Sequence, residues 1–569
     1  MWLLVPAALL VAAIAMLWWI LSADGEEDPA EPGQARATTT IPATPTTATL
    51  STTDASGSDT TLGIGADNAP GSIAVAYWEL RIGDCFLSPD YDEDWSVGVV
   101  PCGTPHGFEM YEIFYLDDTT EATVEAIDEA ASAGCAAALP AAAATFGSWV
   151  PTVEELGDGF LDIGCYAILD SEQVGSIRAP IPPGPIADQV AEVMAAVEEL
   201  RGLSFLSVPE ISMISRSELV EGLEQLVAED LASGDPLCEL FRPADPCGVD
   251  SAQAIATQTL AYYDGETGII TVPLDGETLS PWELASLAHE LAHSLTDGHF
   301  RWTQEGNLLW WEGSTDAWYA LDAVIEGDAQ LLEARYIEQY FDEDDLTAYD
   351  AAYEGATRDA PAAPLFSEAE ATFTYGEGLE YVSALDTAGG LDAVNQAYLR
   401  PAPATEWILS GPDGVTDRPV DVDGQLPFAP NRYYLSSFGD WGTLEWYRLL
   451  WEDPDVSQIV AGWGGGGYSL YENERGELLL SVTHVGDDEA SVQRLFDALT
   501  EQLPTTMAVD SIEPAGSTFT ATGDDFLWIS VEGRELRLIV AETPRDGAMV
   551  MHKLVGWEDA VEEGAVPTN

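Results

Sequence analysis

The sequence predicts an α+β protein: an N-terminal transmembrane helix, a small disulfide-bonded α+β module, then a larger, mainly helical domain with some β. Three observations carry this expectation. An uncharged apolar run, "WLLVPAALLVAAIAMLWWIL" (2–21), opens the chain, all six cysteines lie beyond it, and helical periodicity replaces short β-prone runs near residue 187. At 569 residues there is room for two or three domains and a large core.

The apolar run has the length that spans a bilayer. No Lys or Arg precedes Arg36, and the far flank, "DGEEDPAEP", is acidic, which favours an outside C-terminus. The run is long for a cleaved signal, and the small-residue pattern before a cut is poor, with Leu21 at its first place. Residues 1–23 therefore read as an uncleaved anchor, with secretion after signal cleavage as the alternative. Either way the bulk of the chain is extracytoplasmic. Residues 24–72, rich in Thr, Ser, Pro and acid, bury too little apolar area to fold and read as a disordered linker. As a flexible coil its ends average roughly 40 Å apart.

The chain carries 100 acidic and 19 basic residues, a formal charge of −81, and Lys553 is its only lysine. Such a surface repels phosphate backbones and anionic lipid, which excludes nucleic acid as a partner. The acid excess reads first as a solubility device in high salt or a cation-rich cell wall.

Residues 73–172 begin the ordered sequence. "IAVAYWEL", "WSVGVVPC" and "FEMYEIFYL" are short β-prone runs between turn residues, followed by an Ala-rich helix at about 120–145 and a strand at "LDIGCYAIL". In an oxidising exterior six cysteines read as three disulfides, and the absence of a CxxC pair disfavours thiolate zinc sites. Cys238 and Cys247 ("CELFRPADPC") can close a small loop; Cys85, Cys102, Cys135 and Cys165 supply two more bonds whose pairing spacing leaves open. "GDCF", "VPCGTPHGFEMYEIFYL", a cysteine in an Ala-rich helix and another in the last strand resemble the septum-formation domain of actinobacterial membrane proteins. That resemblance implies the bonds Cys85–Cys102 and Cys135–Cys165 and a division or cell-wall partner rather than an enzyme. His106 in this module reads as structural.

A Pro-rich break, "RAPIPPGPI" (178–186), precedes the domain expected over 187–560. There is no internal repeat and no nucleotide fingerprint; "GWGGGG" (462–467) lacks the strand–turn–helix setting and Lys of a phosphate loop. The chemistry-bearing stretch is "SPWELASLAHELAHSLTDGHF". Ser280 can cap, Pro281 suits the first turn and Glu283 completes a capping box. Leu284, Leu287, Leu291 and Leu295 form a buried stripe, while His289 and His293 share another face with small alanines around them. Two imidazoles one turn apart can reach one Zn²⁺, with Glu290 beside them as a general base.

A catalytic zinc needs a third protein ligand and an open position. Two residues compete for that place. His299 has the metzincin histidine spacing, but Thr296 stands where that family turns on glycine. Glu326 lies on a long helix starting near Asp316, with Leu321, Val324, Ile325 and Leu332 toward the core. Asp322 shares its stripe, so one carboxylate could take the metal and the other a ligand histidine. On the residues alone Glu326 is favoured and His299 stays open. His299 and Tyr375 are candidate oxyanion donors, and Asp322 and Asp328 candidate supports for the ligands.

"AYYDGETGIITV", "HELAHSLTDGHF", "ALDAVIEGDAQLL", "FTYGEGLEYVSAL", "GGLDAVNQAYLRPAPATEWIL" and "AGWGGGGYSLYE" occur in that order. Together, over about 187–500, they resemble a family of exported bacterial metallopeptidase-like proteins related to gluzincins. The resemblance implies a zincin-like fold, one Zn²⁺ per chain on His289, His293 and Glu326, Glu290 as base, and a peptide or protein substrate in the cell envelope. The chain departs from that family at "TDGH", at "ATEW" and at Gly466, where the family carries an acid. A catalytically inactive zincin scaffold and a cell-envelope or division interaction protein are the alternative readings. The aromatic-rich C-terminal part, from "NRYYLSSFGDWGTLEWYRLLW" to "FLWISVEGRELRLIVA", is expected to be a helix followed by strands, its tryptophans in the core.

Overall fold

A computed structural model describes residues 73–562, apart from 77–79, 90–95, 118–123, 141–142, 144, 150–159, 174–175, 177–183, 231–235, 242–258, 275, 360–364, 413, 415–417, 429–431 and 508. The expected anchor (1–23), the linker (24–72) and Cys247 lie outside the described residues. No helix among the described residues is long and apolar enough to cross a membrane.

The first sheet is antiparallel, built from β1 (Ile73–Ala76), β2 (Cys85–Phe86), β3 (Ser96–Val100), β4 (His106–Asp117), β5 (Thr145–Trp149) and β6 (Phe160–Gln173) in the order β1-β3-β2-β4-β6-β5. Alternation drives it: Val97 and Val99 are fully buried while Ser96 before them and Gly98 between them are not. Helix α1 (Val124–Ala138) covers one face. It ends earlier than the Ala-rich composition implies, because Pro140 follows and Thr145–Trp149 finds a ladder on β6. Cys135–Cys165 joins this helix to β6, and Cys85–Cys102 joins β2 to the turn after β3, the two bonds implied by the septum-domain resemblance. Cys238 is disulfide-bonded as well.

Helix α2 (Pro185–Arg201), β7 (Glu210–Ile214), α3 (Arg216–Asp230), α4 (Pro236–Phe241), β8 (Tyr262–Asp264) and β9 (Ile269–Pro273) come next. The three strands order as β7-β9-β8, with β7 parallel to β9 and β8 antiparallel to it. Ile211, Ile270 and Val272 pack with Val190, Val193 and Val197 of α2 and with Leu287, Leu291 and Leu295 of α5 (Pro281–Phe300) in one core.

After α5 the chain is helical: α6 (Trp302–Trp311), α7 (Thr315–Tyr340), α8 (Glu343–Asp359), α9 (Leu365–Ala371), a π-helical turn (Thr372–Glu377), α10 (Gly378–Gly389), α11 (Leu391–Leu399) and α12 (Thr405–Ser410). The rest is more β-rich than expected. Strands β10 (Tyr433–Asp440), β11 (Trp463–Asn473), β12 (Leu478–Gly486), β13 (Val509–Ala515), β14 (Thr518–Gly523), β15 (Phe526–Glu532) and β16 (Glu535–Ala541) form an antiparallel sheet, ordered β10-β11-β12-β16-β15-β14-β13. Helices α13 (Thr443–Leu449), α14 (Val456–Val460), α15 (Glu489–Thr506) and α16 (Pro544–Glu562) connect or cover it.

The stretch "YYLSSFGD" is a strand, not the start of a helix: its β-prone aromatics pair with β11, and the helix begins only at Thr443. Trp441 and Trp446 are fully buried in the core that this sheet shares with α7, α10 and α12, as expected of them. The glycine run lies on β11 and serves packing. A Cβ at Gly467 would stand 2.1 Å from the Val422 carbonyl oxygen, and one at Gly465 2.4 Å from that of Val420.

Candidate metal centre

Helix α5 starts as its sequence demands. The Ser280 hydroxyl accepts from the Glu283 amide, Glu283 Oε2 accepts from the Ser280 amide at 2.6 Å, and Pro281 occupies the first turn. The whole stretch from Ala285 to Gly298 is buried, so α5 is a central helix rather than a surface one. Of the expected leucine stripe, Leu287, Leu291 and Leu295 are buried and Leu284 partly so.

On its other face His289 and His293 direct their Nε2 atoms to within 3.0 Å of each other. Glu326, from α7, brings its Oε2 to 3.2 Å from His289 Nε2 and 3.4 Å from His293 Nε2. Tetrahedral bonds of about 2.1 Å imply donor–donor edges of about 3.4 Å. The three observed edges sit at or just inside that value, so His289, His293 and Glu326 form a group fit to hold a metal ion.

Two glycines set the position of Glu326. A Cβ at Gly327 would lie 2.3 Å from the Gly378 carbonyl oxygen, and one at Gly378 2.2 Å from that of Ala323. Bare backbone on both sides lets α7 and α10 touch. The π-helical turn that leads into α10 then carries Tyr375, 5% exposed, onto the site, where its hydroxyl donates to Glu326.

Behind the ligands stands Glu333, two turns after Glu326 and buried. Its Oε2 lies 3.3 Å from His289 Nδ1, at ion-pair distance though off the line of a good hydrogen bond. Tyr349 donates to its other oxygen at 3.5 Å. Asp322 and Asp328 are the expected candidates for supporting a ligand histidine; the carboxylate at His289 Nδ1 is that of Glu333. Asp322 hydrogen-bonds Thr374 and is held well above the usual carboxylate range by burial, with the charges of Glu326 and Glu370 adding.

The remaining candidates separate. His299 donates from Nε2 to the Ser204 carbonyl at 2.8 Å, turned to the loop after α2, and burial lowers its pKa. With Nε2 turned to that carbonyl, His299 lies outside the group formed by His289, His293 and Glu326. Asp328 is tied to Arg201 Nε and the Tyr398 hydroxyl, each at 3.0 Å, and so braces α7 against α2 and α11 rather than touching a ligand.

Electrostatics sort the acids and bases. Burial pushes the Glu290 carboxyl up, and Glu326 and Glu333 add to this against the opposing pull of His289 and His293. Burial also pushes Glu326 up, but His293 and His289 overcome it and hold that carboxyl well below its ordinary value. For His289 burial opposes the charged form, yet Glu326 and Glu333 outweigh it and raise the pKa. A carboxylate that stays ionised faces two imidazoles, next to a glutamate that holds protons more readily.

A second cluster, Cys85, His106 and Glu109, also brings ligand atoms together. Its sulfur is committed to the Cys85–Cys102 bond, and His106 Nδ1 donates to the Thr104 carbonyl at 2.8 Å, so it offers no thiolate for a metal. No protein-family model matches the chain, and no curated protein and no solved structure matches it either.

Proposed function

We propose that this chain is a zinc-dependent peptidase that works outside the cytoplasm, held to the membrane by its N-terminal segment. One observation carries the reading: two imidazoles and a carboxylate from a second helix converge, with Glu290 buried beside the first imidazole. Two nitrogens and one carboxylate oxygen suit zinc better than the all-oxygen shells of calcium or magnesium.

Zn²⁺ bound there supplies Lewis acidity toward a water and toward the substrate's carbonyl oxygen. Glu290 accepts the proton of the attacking water and returns it to the leaving amine, a task for which a carboxyl raised by burial is suited. Tyr375, whose hydroxyl rests on Glu326, is the candidate to donate to the developing oxyanion. Glu333, at the Nδ1 side of the His289 ring, would help keep Nε2 turned toward Glu326 and His293. The substrate is a peptide or protein of the cell envelope.

The scaffold reading drew on Gly466, where the resembled family carries an acid. A Cβ at Gly466 would meet the Trp441 carbonyl oxygen at 2.4 Å, so packing accounts for the glycine. The deciding experiment compares the full chain with its Glu290→Gln variant. One zinc per chain is expected in both by mass spectrometry, with hydrolysis of a peptide library falling by about 10²- to 10⁴-fold in the variant. One zinc with no Glu290-dependent cleavage supports the inactive scaffold and defeats the peptidase.

A further inference from the structure

The disulfide module meets α5 through a buried square of charges. Arg81, on the loop between β1 and β2, grips Asp297 with both terminal nitrogens, Nη2 donating to Oδ1 at 2.9 Å. Asp84, on the same loop, accepts from Arg301 Nη2 at 3.1 Å and from the Arg81 amide at 2.9 Å. Asp84 and Asp297 are fully buried, and both arginines are 8% exposed. Asp297 also accepts from the Tyr263 hydroxyl at 3.1 Å and from the Thr303 hydroxyl and amide at 2.6 and 3.0 Å.

This square sits one turn beyond His293. Arg301 ends α5 in the left-handed region, φ 53°, a conformation that non-glycine residues hold only when surrounding contacts enforce it. The next residue, Trp302, lies edge-on to the His293 ring with centroids 6.0 Å apart, and its indole donates to Thr296 Oγ1 at 3.2 Å. A buried ion pair is weak as a source of stability compared with apolar packing, but it fixes orientation. Four charges at this joint therefore suit a part that must be held in register.

We infer that the disulfide module is a positioning part of the metal centre: Arg81 and Asp84 fix the last turn of α5 and, through Arg301 and Trp302, the orientation of His293. The inference rests on reading His289, His293 and Glu326 as metal ligands. It assigns the module a task inside the chain in addition to any partner outside it.

The test uses the full chain, purified in detergent and loaded with Co²⁺ alone. Arg81→Met and Asp84→Asn are expected to shift the visible absorption bands of bound Co²⁺ and weaken its affinity at least ten-fold, with near-UV circular dichroism kept. Arg81→Lys, which restores the charge but not the two-pronged grip, recovers part of both. Folded variants with the wild-type Co²⁺ spectrum and affinity, and only a lower Tm, overturn the inference and leave a plain structural joint. Should Arg81→Met fail to fold, the isosteric Asp84→Asn decides. A wild-type chain that takes up no Co²⁺ defeats the metal reading and this one together. One that takes it up but cleaves nothing removes only the peptidase, because spectrum and affinity are read without turnover.

Discussion

His289 has two ring nitrogens, and the site uses both. Nε2 faces Glu326 and His293, while Nδ1 faces Glu333, itself buried and held by Tyr349. Partners of this kind fix the tautomer and the ring plane. Glu333→Gln is expected to lower metal affinity by about 10- to 100-fold, measured by competition with a chromophoric chelator; an unchanged affinity removes Glu333 from the site. His484 shows the same logic away from this site. It is 2% exposed, its Nδ1 accepts from Trp446 Nε1 at 3.3 Å, and burial lowers its pKa to about 3. Below pH 6.5 the unfolded chain binds a proton that the folded chain refuses, so folding stability drops as pH falls from 6.5 toward 3, by up to ~1.4 kcal/mol per unit. Denaturant melts at pH 7 and pH 5.5 should show a smaller loss in His484→Gln than in wild type, and equal losses would refute a neutral buried His484. The sequence makes His289, His293 and Glu290 visible because histidine is scarce and the spacing specific. Glu333 is one acid among 100 and shows no contrast. Only its place two turns beyond Glu326 on one helix face points to it.

Among the elements, the contact between α7 and α10 decides the geometry. The "EGDA" and "YGEG" stretches each donate a glycine to it, and a methyl at either would run into a backbone carbonyl that cannot swing aside. Gly327→Ala is therefore expected to force the helices apart, costing about 2–3 kcal/mol of stability and moving Glu326 off the two imidazoles. A thermal melt and zinc stoichiometry check it; a variant with wild-type Tm and full zinc would show that the helices have slack. Local signals explain which elements were legible. The start of α5 follows from a capping box whose reciprocal bonds both form. "YYLSSFGD" failed because its aromatics fit helix and strand patterns equally, and its pairing partner, β11, begins 23 residues after it ends. A strand defined by a distant ladder leaves little trace in its own residues.

At the scale of the whole molecule, the cysteine framework, the Pro-rich break and the change of periodicity outline the parts, but not their joint. Arg81, Asp84, Asp297 and Arg301 carry no motif, and their pairing across 216 and 217 residues appears only in three dimensions. The charge of the chain, by contrast, is fully legible and has a consequence for stability. With 100 acids against 19 basic residues, the folded molecule brings like charges together that the unfolded chain holds further apart. Several of the arginines are spent on buried pairs, such as Arg81–Asp297, Arg301–Asp84 and Arg201–Asp328, which salt screens little. What remains at the surface is mostly repulsion between carboxylates, and salt acts on that directly, shortening the screening length from about 30 Å at 0.01 M to about 8 Å at 0.15 M. Raising NaCl from about 10 to about 500 mM, from well below physiological ionic strength to above it, is therefore expected to increase Tm by a few degrees, most of it gained below about 0.15 M. Scanning calorimetry across that series checks it. A Tm that stays flat or falls would mean that attraction between surface ion pairs outweighs the repulsion, against the balance of charges in the chain.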